Sequence, residues 1–218
     1  MSTQHTGSRV FLWLSALTLI LVAVFAVYVI TRDTSGETGT VAPKLQSDDH
    51  VRGASSSTSL IFVEYSDFEC PACEAAQPAL RALYAEFASS TTFVYRHLPL
   101  AQHKNAKLAA YASEAAALQG KFWEMHDLLF DTQSEWSGIP QAQAQDYFVK
   151  LAEQLDLETV RFAADMGSDA VVARVKRDAD DAVRIGVRGT PSFFVNGEKL
   201  AVKSFDDLRA GLISAENK

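Results

Sequence analysis

The only two cysteines of this 218-residue chain, Cys70 and Cys73, stand three positions apart in the segment SDFECPACEAA. The apolar run LIFVEY at 60–65 precedes them and is typical of a buried strand. Apolar residues at helical spacing follow them, and Pro71 suits the first turn of a helix. The sequence therefore predicts a Cys-x-x-Cys motif at the N-terminus of a helix that follows a buried strand.

A cysteine pair at a helix N-terminus has a characteristic chemistry. Unpaired backbone N–H groups and the positive end of the helix dipole stabilise a thiolate, so Cys70 is the predicted nucleophile. Cys73 lies one turn further along, where it can attack a mixed disulfide formed by Cys70. A zinc site is a competing interpretation, but the chain has no second cysteine pair to complete four ligands. A purely structural disulfide would close almost no loop entropy across two residues.

Residues 10–30 form an uncharged apolar block, which as a helix would be about 31 Å long and could cross a bilayer. The sequence predicts an uncleaved transmembrane anchor, with a cytoplasmic tail at 1–9 and a flexible linker at 31–59. The alternative is a cleavable secretory signal, whose apolar core is shorter, at about 7 to 15 residues. We expect the remainder of the chain on the extracytoplasmic side of the cell membrane, where disulfides persist.

The rest of the chain, 60–218, predicts one α/β domain. Its order is strand, helix, strand, a helical insertion at about 103–186, a hairpin around Asn196-Gly197 and a final helix. The insertion is several times longer than a parallel crossover requires. A net charge of −7 argues against a nucleic-acid partner, which would need a basic face. The predicted strands are 60–65, 92–97, 191–195 and 198–202, and the predicted helices are 70–88, 104–119, 121–131, 141–155, 168–185 and 205–214.

Four motifs occur in order along the chain: YSDFECPAC, FVYRHLPL, GKFWEMHDLLF and GVRGTPSFFVNG. Together they resemble the DsbA-like thiol:disulfide oxidoreductases, in particular the membrane-anchored branch, over roughly residues 49–218. The resemblance implies a thioredoxin-like fold with a helical insertion. It also implies that Cys70 is an exposed nucleophile, that Cys73 is the buried resolving cysteine, and that Thr190 and Pro191 form a cis-proline loop that binds substrate backbone. From spacing alone, Pro191 would be an ordinary turn proline.

The function implied by this resemblance is donation of the Cys70–Cys73 disulfide to exported, cysteine-containing polypeptides. Reoxidation would then require a quinone-linked partner in the membrane, and no metal or organic cofactor is expected in the chain itself. Two alternatives remain open at this point. One is a disulfide isomerase or reductase, and the other is a non-catalytic binding module that assists membrane-protein assembly.

Two further positions bear on the chemistry. The dipeptide between the cysteines is Pro71-Ala72, whereas the strongest oxidants of the family carry a histidine in the second place. We therefore expect the pKa of Cys70 between the extremes of about 3.5 and 7 and a moderated oxidising power. Glu64 stands six residues before Cys70, where thioredoxin-fold proteins often hold a buried acid. The alternative for Glu64 is a partly exposed residue of an edge strand with no role.

Overall fold

The computed structural model describes residues 24–25, 44–54 and 59–217. The chain divides into two compact units, Met1–Gly39 and Thr40–Lys218. Of the predicted anchor at 10–30 only Val24 and Phe25 are described, so the anchor, the tail at 1–9 and most of the linker lie outside the described residues. Within the described residues, no helix is long and apolar enough to cross a membrane.

The second unit contains a five-stranded sheet with the strand order β1-β3-β2-β4-β5. Strands β2 and β3 are parallel, whereas the β1–β3, β2–β4 and β4–β5 pairs are antiparallel. This is the arrangement expected for strand, helix, strand followed by a hairpin. The strands are β1 His50–Gly53, β2 Leu60–Ser66, β3 Thr91–His97, β4 Ser192–Val195 and β5 Glu198–Lys199.

Strand β2 lies at the centre of the sheet, and its side chains alternate between two buried faces. Phe62 packs against a core formed with α1 (Pro71–Glu86) and α8 (Asp206–Glu216). Val63 and Tyr65 pack against the other core, which includes residues of α7 (Asp169–Arg184). Because both faces are covered, the strand is apolar except at Glu64 and Ser66, as buried parallel strands usually are. Glu64 is therefore not an edge-strand residue.

The predicted helical insertion lies between β3 and β4 and builds a third core. Its alanine-rich helix α2 (Ala106–Ala117) has small, fully buried side chains that allow neighbouring helices to pack closely. Helix α7 begins after Ser168, whose hydroxyl accepts a hydrogen bond from the Val171 N–H as an N-cap. Two short helices, α4 (Gln133–Trp136) and α6 (Thr159–Asp165), were not predicted. The helices of the insertion are α2 Ala106–Ala117, α3 Phe122–Asp131, α4 Gln133–Trp136, α5 Gln141–Gln154, α6 Thr159–Asp165 and α7 Asp169–Arg184.

Strand β1 lies inside the segment predicted as linker, so the folded domain begins before residue 60. The reason is a buried ion pair that the local sequence does not show. Arg96 donates to both carboxylate oxygens of Asp49, at 3.0 and 2.8 Å, and to the Tyr65 hydroxyl at 3.0 Å. The Arg96 and Asp49 side chains are fully buried, which holds the start of β1 against the sheet.

The hairpin between β4 and β5 turns at Asn196 and Gly197, whose φ angles are 48° and 84°. Positive φ at both central residues matches the right-handed twist of the strands. The second strand of the hairpin is shorter than predicted, because only Glu198 and Lys199 pair with β4.

Candidate active site

The backbone at the start of α1 positions the cysteine pair. Cys70 is the extended residue immediately before the helix, and Pro71 and Ala72 form its first two positions. The Cys70 carbonyl accepts a hydrogen bond from the Cys73 N–H at 3.1 Å. Both cysteines are free thiols. Cys70 is 6% exposed and Cys73 is fully buried, so the expectation of an exposed Cys70 needs correction, although Cys70 is the more accessible of the two.

The loop before β4 covers the first cysteine. The Thr190-Pro191 peptide bond is cis, as the resemblance implied. The Cys70 Sγ lies 3.5 Å from the Thr190 carbonyl oxygen, to which its thiol donates a hydrogen bond. This close approach explains why so little of Cys70 is exposed. The structure thus brings together Cys70, Cys73, Thr190 and Pro191, which are up to 121 positions apart in the sequence.

The two thiols have opposite acidities. A hydrogen bond from the Cys73 thiol is the largest cause that lowers the pKa of Cys70, which falls to about 5. The Thr190 hydroxyl and the backbone N–H groups of Ala72 and Cys73 lower it further, against the effect of burial. For Cys73, burial is the largest cause, and with the neighbouring Cys70 it raises the pKa well above its usual value. At neutral pH the structure favours a thiolate on Cys70 and a neutral thiol on Cys73.

The polypeptide leading into the motif is held by side chains that the sequence did not single out. The Gln133 side chain donates to the Phe68 carbonyl at 2.7 Å and to the Cys70 carbonyl at 3.1 Å. The Asp67 carboxylate accepts from the Glu69 N–H at 2.8 Å. Gln133 reaches the motif from α4 in the insertion, so only the folded chain places it there. These bonds fix the backbone from which Cys70 projects.

Glu64 lies beneath the motif on β2, and only 1% of it is exposed. Neither of its carboxylate oxygens makes a hydrogen bond with the described residues. Burial raises the pKa of Glu64 to about 7, and the nearby Ser66 and Tyr84 hydroxyls and the charge of Arg52 limit that rise. Glu64 therefore exchanges its proton near neutral pH.

The Ser66 hydroxyl lies close to both this carboxyl group and the buried thiol. It influences the pKa of both Glu64 and Cys73. It makes no hydrogen bond within the described part of the chain, and the same holds for the neighbouring Tyr95 hydroxyl. A hydroxyl both donates and accepts, so Ser66 can pass a proton between Glu64 and Cys73. Sequence reasoning missed Ser66, although strand alternation puts it on the same face as Glu64.

A family profile described as thioredoxin matches residues 46–213, which is most of the chain. The chain therefore belongs to the thioredoxin family. This match begins before β1 and ends within α8, so it spans all five strands and the helical insertion.

Solved structures with this fold include thiol-disulfide exchange proteins. BdbD from Bacillus subtilis (oxidised) is 20% identical, with a TM-score of 0.68 over 78% of this chain and 94% of that chain. DsbA from Xylella fastidiosa is 21% identical, with a TM-score of 0.61 over 81% of this chain and 98% of that chain. A thioredoxin-like oxidoreductase from Silicibacter pomeroyi is 24% identical, with a TM-score of 0.65 over 79% of this chain and 95% of that chain. The resemblance to DsbA-like proteins is confirmed in the fold.

Similar curated proteins are named as sodium/proton antiporters. NhaA 3 of Salinispora tropica is 45% identical over 152 residues, which cover 69% of this chain and 22% of that protein. NhaA of Herminiimonas arsenicoxydans is 41% identical over 152 residues, which cover 70% of this chain and 23% of that protein. This chain thus spans between a fifth and a quarter of the length of these relatives.

The first prediction tests the hydrogen bond between the thiols. Cys73→Ala removes the donor and should raise the pKa of Cys70 from about 5. One hydrogen bond to a charged group is worth about 1.5 to 3 kcal/mol, so the rise should be about 1 to 2 pH units. Cys73→Ser keeps a donor and should cause a smaller rise. Thiolate absorbance measured against pH gives both values, and equal values for the two variants would contradict the assignment.

The second prediction concerns Glu64. A pKa of about 7 in the folded chain, against an ordinary glutamate pKa of 4.5, means that folding stability falls as pH rises between these two values. The full loss, reached above about pH 7, is on the order of 3 kcal/mol. Glu64→Gln removes this loss, so its stability advantage over the unmodified oxidised protein should grow from about pH 4.5 to about pH 7 in denaturant titrations.

Kinetics distinguish a proton carrier from a merely destabilising acid. Glu64→Gln should leave alkylation of Cys70 nearly unchanged and slow the step in which Cys73 gains or loses its proton. Ser66→Ala, which breaks the connection but keeps the carboxyl group, should slow the same step. Wild-type rates in both variants across the pH range would leave Glu64 without a catalytic role.

Proposed function

We propose that this chain is a membrane-anchored thiol:disulfide oxidoreductase that donates the Cys70–Cys73 disulfide to exported polypeptides. The observation that carries this proposal is the acidity difference within the pair, with the pKa of Cys70 lowered to about 5 and that of Cys73 raised. A stable Cys70 thiolate favours the dithiol form of the enzyme, and an enzyme that favours its dithiol form oxidises its partners.

The exchange proceeds in two steps. A client thiolate attacks Cys70 of the enzyme disulfide, the sulfur–sulfur bond breaks, and Cys73 leaves with the electron pair. Cys73 then takes a proton, which Glu64 supplies through Ser66. A second client thiolate attacks the client sulfur of the mixed disulfide, and Cys70 leaves as a thiolate. The client loses two electrons and the enzyme gains two, and the low pKa of Cys70 makes it a good leaving group.

A groove beside the pair suits an extended client segment. It has a volume of about 470 Å³, and its walls are mainly apolar. Its lining includes Ala72 from the Cys-x-x-Cys motif and Pro191 from the cis loop, together with Val202 and Phe205. Apolar surface of this kind favours an unfolded polypeptide over a folded one, because only the unfolded chain exposes apolar side chains.

The membrane location rests on the apolar segment at 10–30, which is long enough to span a bilayer. An anchored enzyme outside the cytoplasm meets polypeptides as they emerge from export. Its reduced pair must be reoxidised, and we assign that role to a quinone-linked partner in the same membrane. Such a partner would accept the two electrons that the client released.

The third prediction concerns the redox state of the pair in cells. Rapid acid quenching followed by alkylation should find Cys70 and Cys73 mostly oxidised. Cys73→Ser should accumulate mixed disulfides between Cys70 and exported clients, while Cys70→Ser should form none.

Phe205→Glu in the Cys73→Ser protein should lower the yield of trapped clients, because it places a charge in the apolar groove. Val160→Glu, at an exposed apolar position outside the groove, is the matched control.

Other outcomes would support the other candidate functions. A pair found mostly reduced would indicate an isomerase or reductase. If replacing both cysteines with serine leaves the secretion phenotype unchanged, the chain is a binding module and the redox proposal is wrong.

The fourth prediction tests the anchor. Protease added to spheroplasts or intact cells should degrade the folded domain, and the protein should remain in the membrane fraction after washing with alkaline carbonate. The physical reason is the unbroken apolar run at 10–30, which has no small-residue cleavage site of the usual kind. Recovery of a soluble product that starts after Ala26 would show a cleaved signal instead.

A further inference from the structure

A second cluster of chemically active side chains lies outside the cysteine site. It consists of His50 on β1, His97 at the end of β3 and Glu114 on α2. The Nε2 atoms of the two histidines lie 2.8 and 2.7 Å from the same Glu114 Oε1 atom. The three potential ligand atoms all lie within 4.8 Å of one another. Three separate elements therefore direct two imidazoles and one carboxylate at a single point.

The surroundings hold these side chains in place. The His50 ring stacks on Phe122, with centroids 3.5 Å apart and planes at 8°. The His97 ring packs edge-on against Tyr95, and its backbone N–H donates to Asp178 at 3.2 Å. The side chains of His97 and Glu114 are 1% and 8% exposed, so little rotational freedom is left to lose when a ligand binds.

We propose that His50, His97 and Glu114 bind a divalent transition-metal ion with the coordination preferences of Zn²⁺. Two imidazoles and one carboxylate form a known zinc ligand set, in which a fourth position is taken by water. Bonds of about 2.0 to 2.1 Å would set neighbouring ligand atoms about 3.3 Å apart in a tetrahedron. The two histidine–glutamate separations would therefore open by roughly half an ångström each.

The protons that a bound ion displaces from the histidine rings can be accounted for. A histidine ligates through an unprotonated nitrogen, so the ion replaces the protons that the two Nε2 atoms share with Glu114. Each of these protons moves to Nδ1 of the same ring or leaves to water. No bond is oxidised or reduced.

An access route reaches the cluster from the surface. A pocket of about 340 Å³ is lined by His50 and Glu114 together with Asp48, Ala170 and Arg174. An ion can enter from this side, and its fourth ligand position would face the pocket. Imidazole donors favour Zn²⁺ and its neighbours in the first transition row over Ca²⁺ and Mg²⁺, which prefer an all-oxygen ligand set.

The guanidinium group of Arg174 competes with a metal ion for the Glu114 carboxylate. Its Nε lies 3.8 Å from the Glu114 Oε1, so its positive charge opposes a cation there. Arg174 is also paired with Asp178 and donates to the Asp48 carbonyl at 3.3 Å, which gives it partners that do not depend on Glu114. The affinity of the cluster for a cation should therefore be set by how far Arg174 withdraws from Glu114.

The fifth prediction measures binding of Zn²⁺ to the full-length chain in detergent, without an oligohistidine tag and with both cysteines replaced by serine so that thiols cannot bind the ion. Calorimetry should give one Zn²⁺ per chain, and Zn²⁺ should raise the melting temperature while an equal concentration of Ca²⁺ does not. X-ray absorption should show nitrogen and oxygen ligands at about 2.0 to 2.1 Å.

Single variants then locate the site. His50→Gln should weaken Zn²⁺ binding at least about tenfold, because it removes one of three protein ligands. His103→Gln, which removes a similarly exposed imidazole next to Asp67, is the matched control and should leave the affinity unchanged. Arg174→Gln should strengthen binding roughly tenfold, because it removes the opposing charge. The proposal is overturned if the serine variant binds no Zn²⁺, if His50→Gln and His103→Gln behave alike, or if Ca²⁺ binds as tightly.

Discussion

The hydrogen bond between the Cys73 thiol and the Cys70 sulfur is the interaction on which the chemistry of this protein depends. It lowers the pKa of Cys70 more than any other contact does, and Cys70 in turn helps to raise the pKa of Cys73. This one contact makes Cys70 a good leaving group and helps to keep Cys73 protonated. Each unit by which the pKa of Cys70 falls stabilises the dithiol by about 1.4 kcal/mol, which is about 30 mV in a two-electron couple. The absence of a histidine between the cysteines is therefore offset by donors that the fold provides.

The acidic groups of the site have opposite effects on stability. The raised pKa of Glu64 destabilises the folded chain increasingly from about pH 4.5 to about pH 7. The lowered pKa of Cys70 stabilises the reduced chain increasingly from about pH 5 up to 9.0, the ordinary pKa of a cysteine. Between about pH 5 and pH 7 the two effects cancel in the reduced protein, whereas the oxidised protein has no thiolate and shows only the loss from Glu64. The reduced form therefore gains folding stability relative to the oxidised form as pH rises.

Local patterns in the sequence correctly predicted the elements whose formation depends on neighbouring residues in the chain. The strand before the motif, the helix after it and the Asn196-Gly197 turn were all correct, because propensity and backbone conformation decide them. Strand β1 was missed because its four residues are stabilised by Asp49 pairing with Arg96, 47 positions away. Ser66 could have been found by alternation from Glu64, but the histidine–glutamate cluster could not. Its members are 64 and 17 positions apart, and only the packing of the insertion on the sheet brings them together.

The histidine–glutamate cluster and the cysteine pair share neighbours but have separable chemistry. Phe68, two residues before Cys70, packs on Tyr95 and reaches the His97 ring at 6.0 Å, so a movement of His97 would press on the backbone that carries the nucleophile. His97 is fixed, however, since its backbone bonds to Asp178 and the next residue, Leu98, bonds to Ser66. His50 lies on a four-residue strand at the sheet edge and is the more exposed ligand, at 16%. Adjustment to an ion would therefore fall on His50 and tighten the attachment of β1, while the geometry of Cys70 stays as it is.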